Sequence, residues 1–115
     1  MLALTACGLL EETELRLGTF SELKTRAGKV FEWNGEDFYL ELDEKDTPYV
    51  LSLVCTHKQC TVAWKPELER FVCPCHKGEY DQTGKVIKGK PPRPLDRYRL
   101  EERADGWWLL NQPLN

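Results

Sequence analysis

The chain has 115 residues, of which 41% are hydrophobic and 30% charged, and this length fits one small domain. No apolar run approaches the roughly 20 residues that a membrane-spanning helix needs, and a net charge of −3 gives no sign of a nucleic-acid-binding chain. The charge is unevenly spread, because residues 1–46 carry −6 and residues 55–93 carry +4. The positive segment is either a solvated face or a docking surface for a partner.

We interpret residues 1–12 as an N-terminal leader or tether. Within them, Leu4-Thr5-Ala6-Cys7 resembles the lipobox at which bacterial lipoproteins are cleaved and acylated on the cysteine. The residues ahead of Cys7 supply neither the basic stretch nor the longer apolar core of a working signal peptide. We therefore expect either a truncated start with a lipidated Cys7 or an unpaired cysteine in a frayed tail.

The first half of the chain carries patterns typical of antiparallel strands. Asn34-Gly35 separates two β-prone stretches, and both residues tolerate positive φ in a tight turn, so residues 28–42 are predicted to form a hairpin. Residues 49–54 are almost continuously apolar, which predicts a buried strand that leads directly into Cys55.

The second half continues in the same way. Short strands are predicted at 61–64 and 70–72, and a closing hairpin at 98–110, in which Trp107 and Trp108 point to opposite faces. No stretch has a convincing helical period. The sequence therefore predicts an all-β chain.

Two short boxes concentrate sulfur and imidazole ligands: Cys-Thr-His-Lys-Gln-Cys at 55–60 and Cys-Pro-Cys-His-Lys-Gly at 73–78. A structural zinc site fits poorly, because six candidate ligands are two too many for one tetrahedral ion. A cluster bound by four thiolates would leave both histidines idle. Two thiolates on one iron and two imidazoles on a second iron resolve the count and leave two cysteines over.

The boxes resemble those of the Rieske family, whose bc-type members read Cys-Thr-His-x-Gly-Cys and Cys-Pro-Cys-His-x-Ser or Gly. The resemblance covers about residues 50–98. It implies a Rieske-like antiparallel β-sandwich or barrel with an inserted cluster-binding subdomain. The basal β domain would be formed by 13–51 and 94–115, and the subdomain by 52–93.

The resemblance also implies one [2Fe–2S] cluster per chain. Cys55 and Cys73 would bind the inner iron, and His57 and His76 the outer iron near solvent. The remaining two cysteines of the boxes, at positions 60 and 75, would form a disulfide that joins the two loops. Such a bond indicates an oxidising compartment. The alternative is two reduced, unrelated thiols.

Two further residues are expected to tune the reduction potential. Tyr80 matches the tyrosine whose hydroxyl, in the family, donates to a cysteine sulfur, whereas Gly78 stands where high-potential members place a serine donor. One donor present and one absent predict an intermediate potential; simple packing is the alternative role for Tyr80. Together with the stiff loop at 89–94, which either only changes direction or covers something, Gly78 makes the chain most like Rieske subunits of menaquinol:cytochrome c reductases.

The sequence departs from the bc-type pattern beside both histidines. An apolar residue and a glycine are usual where this chain has Lys58 and Gln59, and a glycine is usual where it has Lys77. A cationic tip in place of an apolar one puts quinol docking in doubt and favours an acidic partner. The predicted partner-docking residues are Lys58, Lys77, Lys88 and Lys90.

Three functions remain open. The first is a one-electron carrier acting as the iron–sulfur subunit of a bc-type quinol:cytochrome c reductase, with quinol or cytochrome b and c partners. The second is a free periplasmic or lipid-anchored carrier that docks an acidic redox partner. The third is a ferredoxin component of an oxygenase or nitrite reductase system, which the two extra cysteines disfavour.

Rieske oxygenases are excluded, because His57 and His76 are the only histidines in the chain. The first two readings place the chain on the extracytoplasmic side of a membrane.

Overall fold

The computed structural model describes residues 11–114, which fold into two antiparallel sheets and one short helix. Cys7 and the predicted leader up to residue 10 lie outside the described residues. The first sheet has six strands in the order β1-β10-β9-β4-β3-β2, and the second has four in the order β5-β6-β7-β8. The elements along the chain are β1 (Glu14–Gly18), α1 (Phe20–Arg26), β2 (Lys29–Trp33), β3 (Glu36–Leu42), β4 (Pro48–Ser52), β5 (Ala63–Lys65), β6 (Arg70–Val72), β7 (Glu79–Asp81), β8 (Val86–Lys88), β9 (Arg97–Arg103) and β10 (Gly106–Pro113).

Strand β4 is buried along its whole length, as its apolar run predicted. Because side chains alternate along a strand, its residues belong to two different cores. Val50 packs in one cluster with Leu40 and Leu109, whereas Tyr49 and Leu51 pack in a second cluster. The second cluster also contains both free cysteines. The strand therefore connects the six-stranded sheet to the core beneath the functional loops.

Both predicted hairpins are confirmed. In the first, Asn34 and Gly35 adopt φ of 53° and 75°, the left-handed pair that a two-residue turn between β2 and β3 needs. In the second, β9 and β10 pair around Asp105. Trp107 packs against the core of the six-stranded sheet, and Trp108 lies under the guanidinium of Arg103.

The all-β prediction is confirmed, and the structure adds one short helix, α1, which follows β1 and which no helical period in the sequence indicated. The helix has seven residues and buries only Leu23, so it is too short to show an amphipathic period. A capping box defines its start: the Thr19 hydroxyl accepts from the Glu22 N–H, and the Glu22 carboxylate accepts from the Thr19 N–H. Thr-x-x-Glu at 19–22 was the local signal for it.

The four-stranded sheet covers residues 63–88; it follows the first ligand box, contains the second box between β6 and β7, and precedes the loop at 89–94. Its strands are only three residues long, and the aromatic side chains of Trp64, Phe71 and Tyr39 pack together beneath it, with ring centroids 4.7–5.0 Å apart. The division into a basal domain and an inserted subdomain stays a prediction; the two sheets are the units to which it would correspond. Among the described residues, no helix is long and apolar enough to cross a membrane.

Candidate metal centre

The two ligand boxes form the same backbone turn. We call residues 55–60 loop 1 and residues 73–78 loop 2. In each loop the first cysteine donates its N–H to the carbonyl five residues later and accepts from the N–H four residues later, at N···O distances of 2.7 and 2.8 Å in loop 1 and 2.8 and 2.8 Å in loop 2. Gln59 and Lys77, the fifth residue of each loop, both adopt positive φ, of 62° and 58°. The turn is thus used twice, with a histidine at its third position in loop 1 and at its fourth in loop 2.

Strands deliver both loops to one place. Loop 1 follows β4, and loop 2 lies directly between the paired strands β6 and β7. The Cys55 and Cys73 side chains are buried, whereas the His57 ring is half-buried and the His76 ring is exposed. The two imidazole rings meet edge to face, with centroids 4.8 Å apart. Two thiols therefore lie on the inside of the site and two imidazoles on its solvent side.

The disulfide that the resemblance implies is present between Cys60 and Cys75, whose Cα atoms are 6.5 Å apart. It joins the end of loop 1 to the middle of loop 2. The sulfurs of Cys60, Cys73 and Cys75 lie within 4.8 Å of one another, but two of them belong to the disulfide, so these three do not form a metal site. Cys55 and Cys73 remain as the free thiols among the described residues.

A buried nitrogen without a partner indicates where a metal would bind. His57 Nδ1 is buried and has no hydrogen-bond partner, a situation that costs about 1–3 kcal/mol unless another group satisfies the nitrogen. Burial, followed by the charges of His76, Lys58 and Lys90, lowers the pKa of the His57 imidazole. A neutral imidazole with a free nitrogen is the form in which histidine binds a metal. Two free thiols and two histidines fit the mixed ligand set of a Rieske cluster.

The sulfur of Cys55 lies in a polar pocket built by Tyr80. The Tyr80 hydroxyl is 3.3 Å from Cys55 Sγ and accepts from the Thr56 N–H at 3.1 Å. Burial would raise the pKa of the Cys55 thiol, but hydrogen bonds from Tyr80 and from the backbone N–H groups of His57 and Lys58 hold it below its usual value. The pocket therefore favours the thiolate, which is the metal-binding form.

Thr56 is a site residue that the sequence did not reveal. Its hydroxyl lies 3.1 Å from the Tyr80 hydroxyl and donates to the carbonyl of Arg93 at 2.8 Å. It thus ties loop 1 both to Tyr80 and to the segment at 89–94. Its place immediately after Cys55 was the only available signal, because both partners are distant along the chain.

Gly78 lies directly under the stiff loop at 89–94. A Cβ at position 78 would lie 2.8 Å from Cγ of Pro91, and a Cβ at Gly89 would lie 2.8 Å from the Gly78 Cα. Pro91 and Gly78 are both buried. The loop therefore packs against loop 2 through a contact that needs a bare backbone at position 78.

The four lysines predicted to dock a partner, Lys58, Lys77, Lys88 and Lys90, are all exposed. Lys58 and Lys90 act electrostatically on His57. Lys88 lies 4.0 Å from the carboxylate of Glu79, the residue that follows loop 2. The cations therefore lie at the same end of the molecule as the two histidines.

Comparisons with known proteins identify the family. The Rieske [2Fe–2S] domain family matches residues 13–99. The cytochrome b6-f complex iron–sulfur subunit of Chlorobaculum tepidum is 33% identical over 88 residues, which are 76% of this chain and 48% of that protein. The corresponding subunit of Chlorobaculum thiosulfatiphilum is 35% identical over 80% of this chain and 50% of its own length. The chain spans about half the length of these relatives.

Solved structures agree. The plasma membrane Rieske protein PetC3 of the cyanobacterium Synechocystis superposes with a TM-score of 0.63 at 28% identity and covers 83% of this chain and 97% of its own. A chain of a hyperthermophilic respiratory Complex III gives a TM-score of 0.59 at 31% identity, covering 93% of this chain and 81% of its own. The family match, the ligand geometry and the fold agree, and the chain belongs to the Rieske [2Fe–2S] domain family.

Proposed function

We propose that this chain is a one-electron carrier and the iron–sulfur subunit of a quinol:cytochrome c reductase-like complex. The observation that carries the proposal is the arrangement of two buried thiols, of Cys55 and Cys73, behind two imidazoles at the surface, with Nδ1 of His57 unpaired. Cys55 and Cys73 would hold the inner iron of a [2Fe–2S] cluster, and His57 and His76 the outer iron. When bound, such a cluster takes up and releases one electron.

The residues around the cluster position have separate roles. The disulfide between Cys60 and Cys75 holds the two loops together, so that the ligands keep their separation. The Tyr80 hydroxyl donates toward Cys55 Sγ and stabilises negative charge there. The solvent-facing imidazole of His76 provides the edge at which a donor or acceptor approaches. The Cys55 and Cys73 side chains are buried, so the inner side of the metal site is shielded from water.

The relatives indicate the kind of complex to which this chain would belong. The curated relatives described above are subunits of cytochrome b6-f complexes, and a solved relative belongs to a respiratory Complex III. We carry the partner class over to this chain: a quinol-oxidising cytochrome b as the donor side and a c-type cytochrome as the acceptor. Gly78 in place of a serine donor supports a lowered potential, which suits menaquinol.

A free carrier is the second candidate, and the exposed lysines beside the histidines favour it. A ferredoxin of an oxygenase system has the least support. The ferredoxin of carbazole 1,9a-dioxygenase from Nocardioides aromaticivorans shares the fold at a TM-score of 0.53, but at 23% identity this likeness concerns the fold alone. The disulfide of this chain also favours an oxidising, extracytoplasmic location over a cytosolic one. Attachment to a membrane, through an anchor or a lipidated Cys7, belongs to the same proposal.

Purification from the native host tests the proposal. A tagged chain should carry the electron paramagnetic resonance signal of a reduced Rieske cluster and should co-purify, after mild detergent extraction, with a subunit whose reduced optical spectrum shows b-type haem. Cys55→Ser and His57→Ala variants should lose the signal. A cluster-loaded chain that purifies without haem b would favour the free carrier, and a chain without the signal would overturn both candidates.

A further inference from the structure

We propose that the surface formed by the His57 and His76 imidazoles, through which the electron would leave, docks on an acidic protein surface. The docking site is formed by Lys58, Lys77, Lys88 and Lys90, which we call the collar. This inference rests on the proposed function, because it names the partner class of the same edge. All four side chains are exposed. Three of them, Lys58, Lys77 and Lys90, form no ion pair within 4.0 Å in the described part of the chain. Their charges are therefore available to a partner.

The acidic residues of the same segment lie elsewhere or are already paired. Glu67 and Glu69 lie in the turn between β5 and β6, at the opposite end of β6 from loop 2. The Asp81 carboxylate accepts from the backbone and hydroxyl of Thr83. Only Glu79 lies at the loop end, and it pairs with Arg70 at 2.7 Å and with Lys88. The field at the histidine edge is thus positive although the whole chain carries −3.

The backbone gives an independent argument. Lys77 holds φ of 58° in loop 2, a conformation that L-residues adopt at an energetic cost and glycine adopts freely. A glycine there would relax the turn but would remove the charge next to His76. Non-glycine residues with positive φ cluster at functional sites, although this chain also has them in the turns at Asn34 and Glu69. A lysine at this position therefore supplies a positive charge next to His76 in a turn that glycine would satisfy.

For the electron acceptor, the collar also favours a charged docking surface over an apolar one. Docking an apolar acceptor on the histidine edge would strip water from unpaired ammonium groups, and Glu79, the carboxylate of this segment at that edge, is already paired with Arg70 and Lys88. A carboxylate-rich surface would instead attract the edge over a Debye length, about 8 Å at physiological salt, and would orient it before contact. Complementary charge of this kind acts mainly on the association rate.

The experiment uses the reduced, cluster-loaded chain and hexacyanoferrate(III) as an anionic oxidant, with the rate followed by stopped flow. A positive exit edge predicts that the rate falls by about tenfold as salt rises from about 10 mM to about 1 M, whereas the net charge of −3 predicts a rise. The triple variant Lys58→Gln/Lys77→Gln/Lys90→Gln should lose this fall. Gln59 already holds the left-handed position of loop 1, so glutamine is compatible with the turn at Lys77.

A matched control changes the charge equally on other elements. Lys24→Gln/Lys29→Gln/Lys45→Gln alters three lysines of the helix and the six-stranded-sheet region and should keep the full salt dependence. A rate that rises with salt, or a fall that both triple variants keep, overturns the inference. The cluster signal of each protein is recorded first, so that loss of the cluster, which would be a failure of the proposed function, is recognised separately.

Polyglutamate then distinguishes a protein partner from a membrane. At low salt, polyglutamate should cover the collar and slow the reaction with hexacyanoferrate(III) in the wild type and in the control, but not in the collar variant. Phosphatidylglycerol vesicles are compared at equal concentrations of negative charge. Slowing by the vesicles at lower charge concentration than polyglutamate would assign the collar to a membrane surface and overturn the acidic-protein partner.

Discussion

The Cβ position of Gly78 would lie 2.8 Å from Cγ and 2.9 Å from Cδ of Pro91, closer than side-chain carbons approach one another. The missing side chain at position 78 therefore allows the loop at 89–94 to lie against loop 2. A serine donor, as the resemblance assigns to high-potential members, has no room here while Pro91 keeps its position. The predicted absence of a serine donor's effect on the potential and the observed position of the loop therefore both depend on the bare backbone at position 78.

Gly78→Ser is expected to lower the free energy of unfolding by about 1–3 kcal/mol, the range for overpacked sites. Because Pro91→Ala removes the clashing atoms, the double variant should lose less than the sum of the two single changes. Chemical unfolding of all four proteins measures this coupling. In the double variant the serine can also donate, so its midpoint potential should exceed that of Pro91→Ala. Additive stabilities and equal potentials would contradict the role of the contact.

Gln59→Gly and Lys77→Gly should each raise the free energy of unfolding by up to about 1 kcal/mol. An L-residue loses about 1–2 kcal/mol in the left-handed region, and the greater freedom of glycine in the unfolded chain offsets part of the gain. Lys58→Gly is the matched control, since it lies in loop 1 without positive φ, and it should be destabilising. If thermal unfolding shows that all three variants lose stability equally, Gln59 and Lys77 are not strained.

Tyr80→Phe should lower the midpoint potential, because the sulfur of Cys55 loses its hydroxyl donor. The Thr56 N–H also loses its acceptor, so about 1–2 kcal/mol of stability should disappear. Tyr49→Phe is the control, because its hydroxyl donates to the Gln82 carbonyl and not to a sulfur. If a redox titration shows the same shift of the midpoint potential in both variants, the effect is due to packing.

Stability is expected to fall in alkaline solution. Burial raises the pKa of the Tyr49 and Tyr80 hydroxyls from 10.0 to about 12, so the folded chain holds these protons more tightly than the unfolded chain. Their contribution is complete below pH 10 and is lost as the pH rises toward 12. Tyrosinate absorbance and circular dichroism should change together in this range. Ionisation of both tyrosines near pH 10 with the fold intact would contradict it.

Features carried by local patterns could be predicted from the sequence. The Asn34-Gly35 turn and the apolar run through β4 are local, and the structure contains both. The cysteines and histidines of the boxes also stood out by their spacing. The helix was missed because seven residues with one buried side chain leave no periodic signal, although its capping box was visible.

Contacts between distant segments could not be predicted. Thr56 meets Tyr80 and Arg93 only after the two sheets are assembled. Likewise, the glycine at 78 was interpreted as a missing hydrogen-bond donor, whereas the structure adds a steric reason that lies in Pro91. Gln59 and Lys77 stand where the family usually has glycine, and residue type alone did not reveal that both still adopt positive φ.

The repeated turn of loops 1 and 2 has a consequence for protein design. Two six-residue frames with the same backbone hydrogen bonds carry the imidazole at different positions, the third in loop 1 and the fourth in loop 2. The asymmetry of the metal site is therefore encoded in side-chain placement on a symmetric scaffold. A designer could transplant one frame twice onto a hairpin pair, fasten the copies with a single cross-link, and choose the ligand geometry by moving one residue.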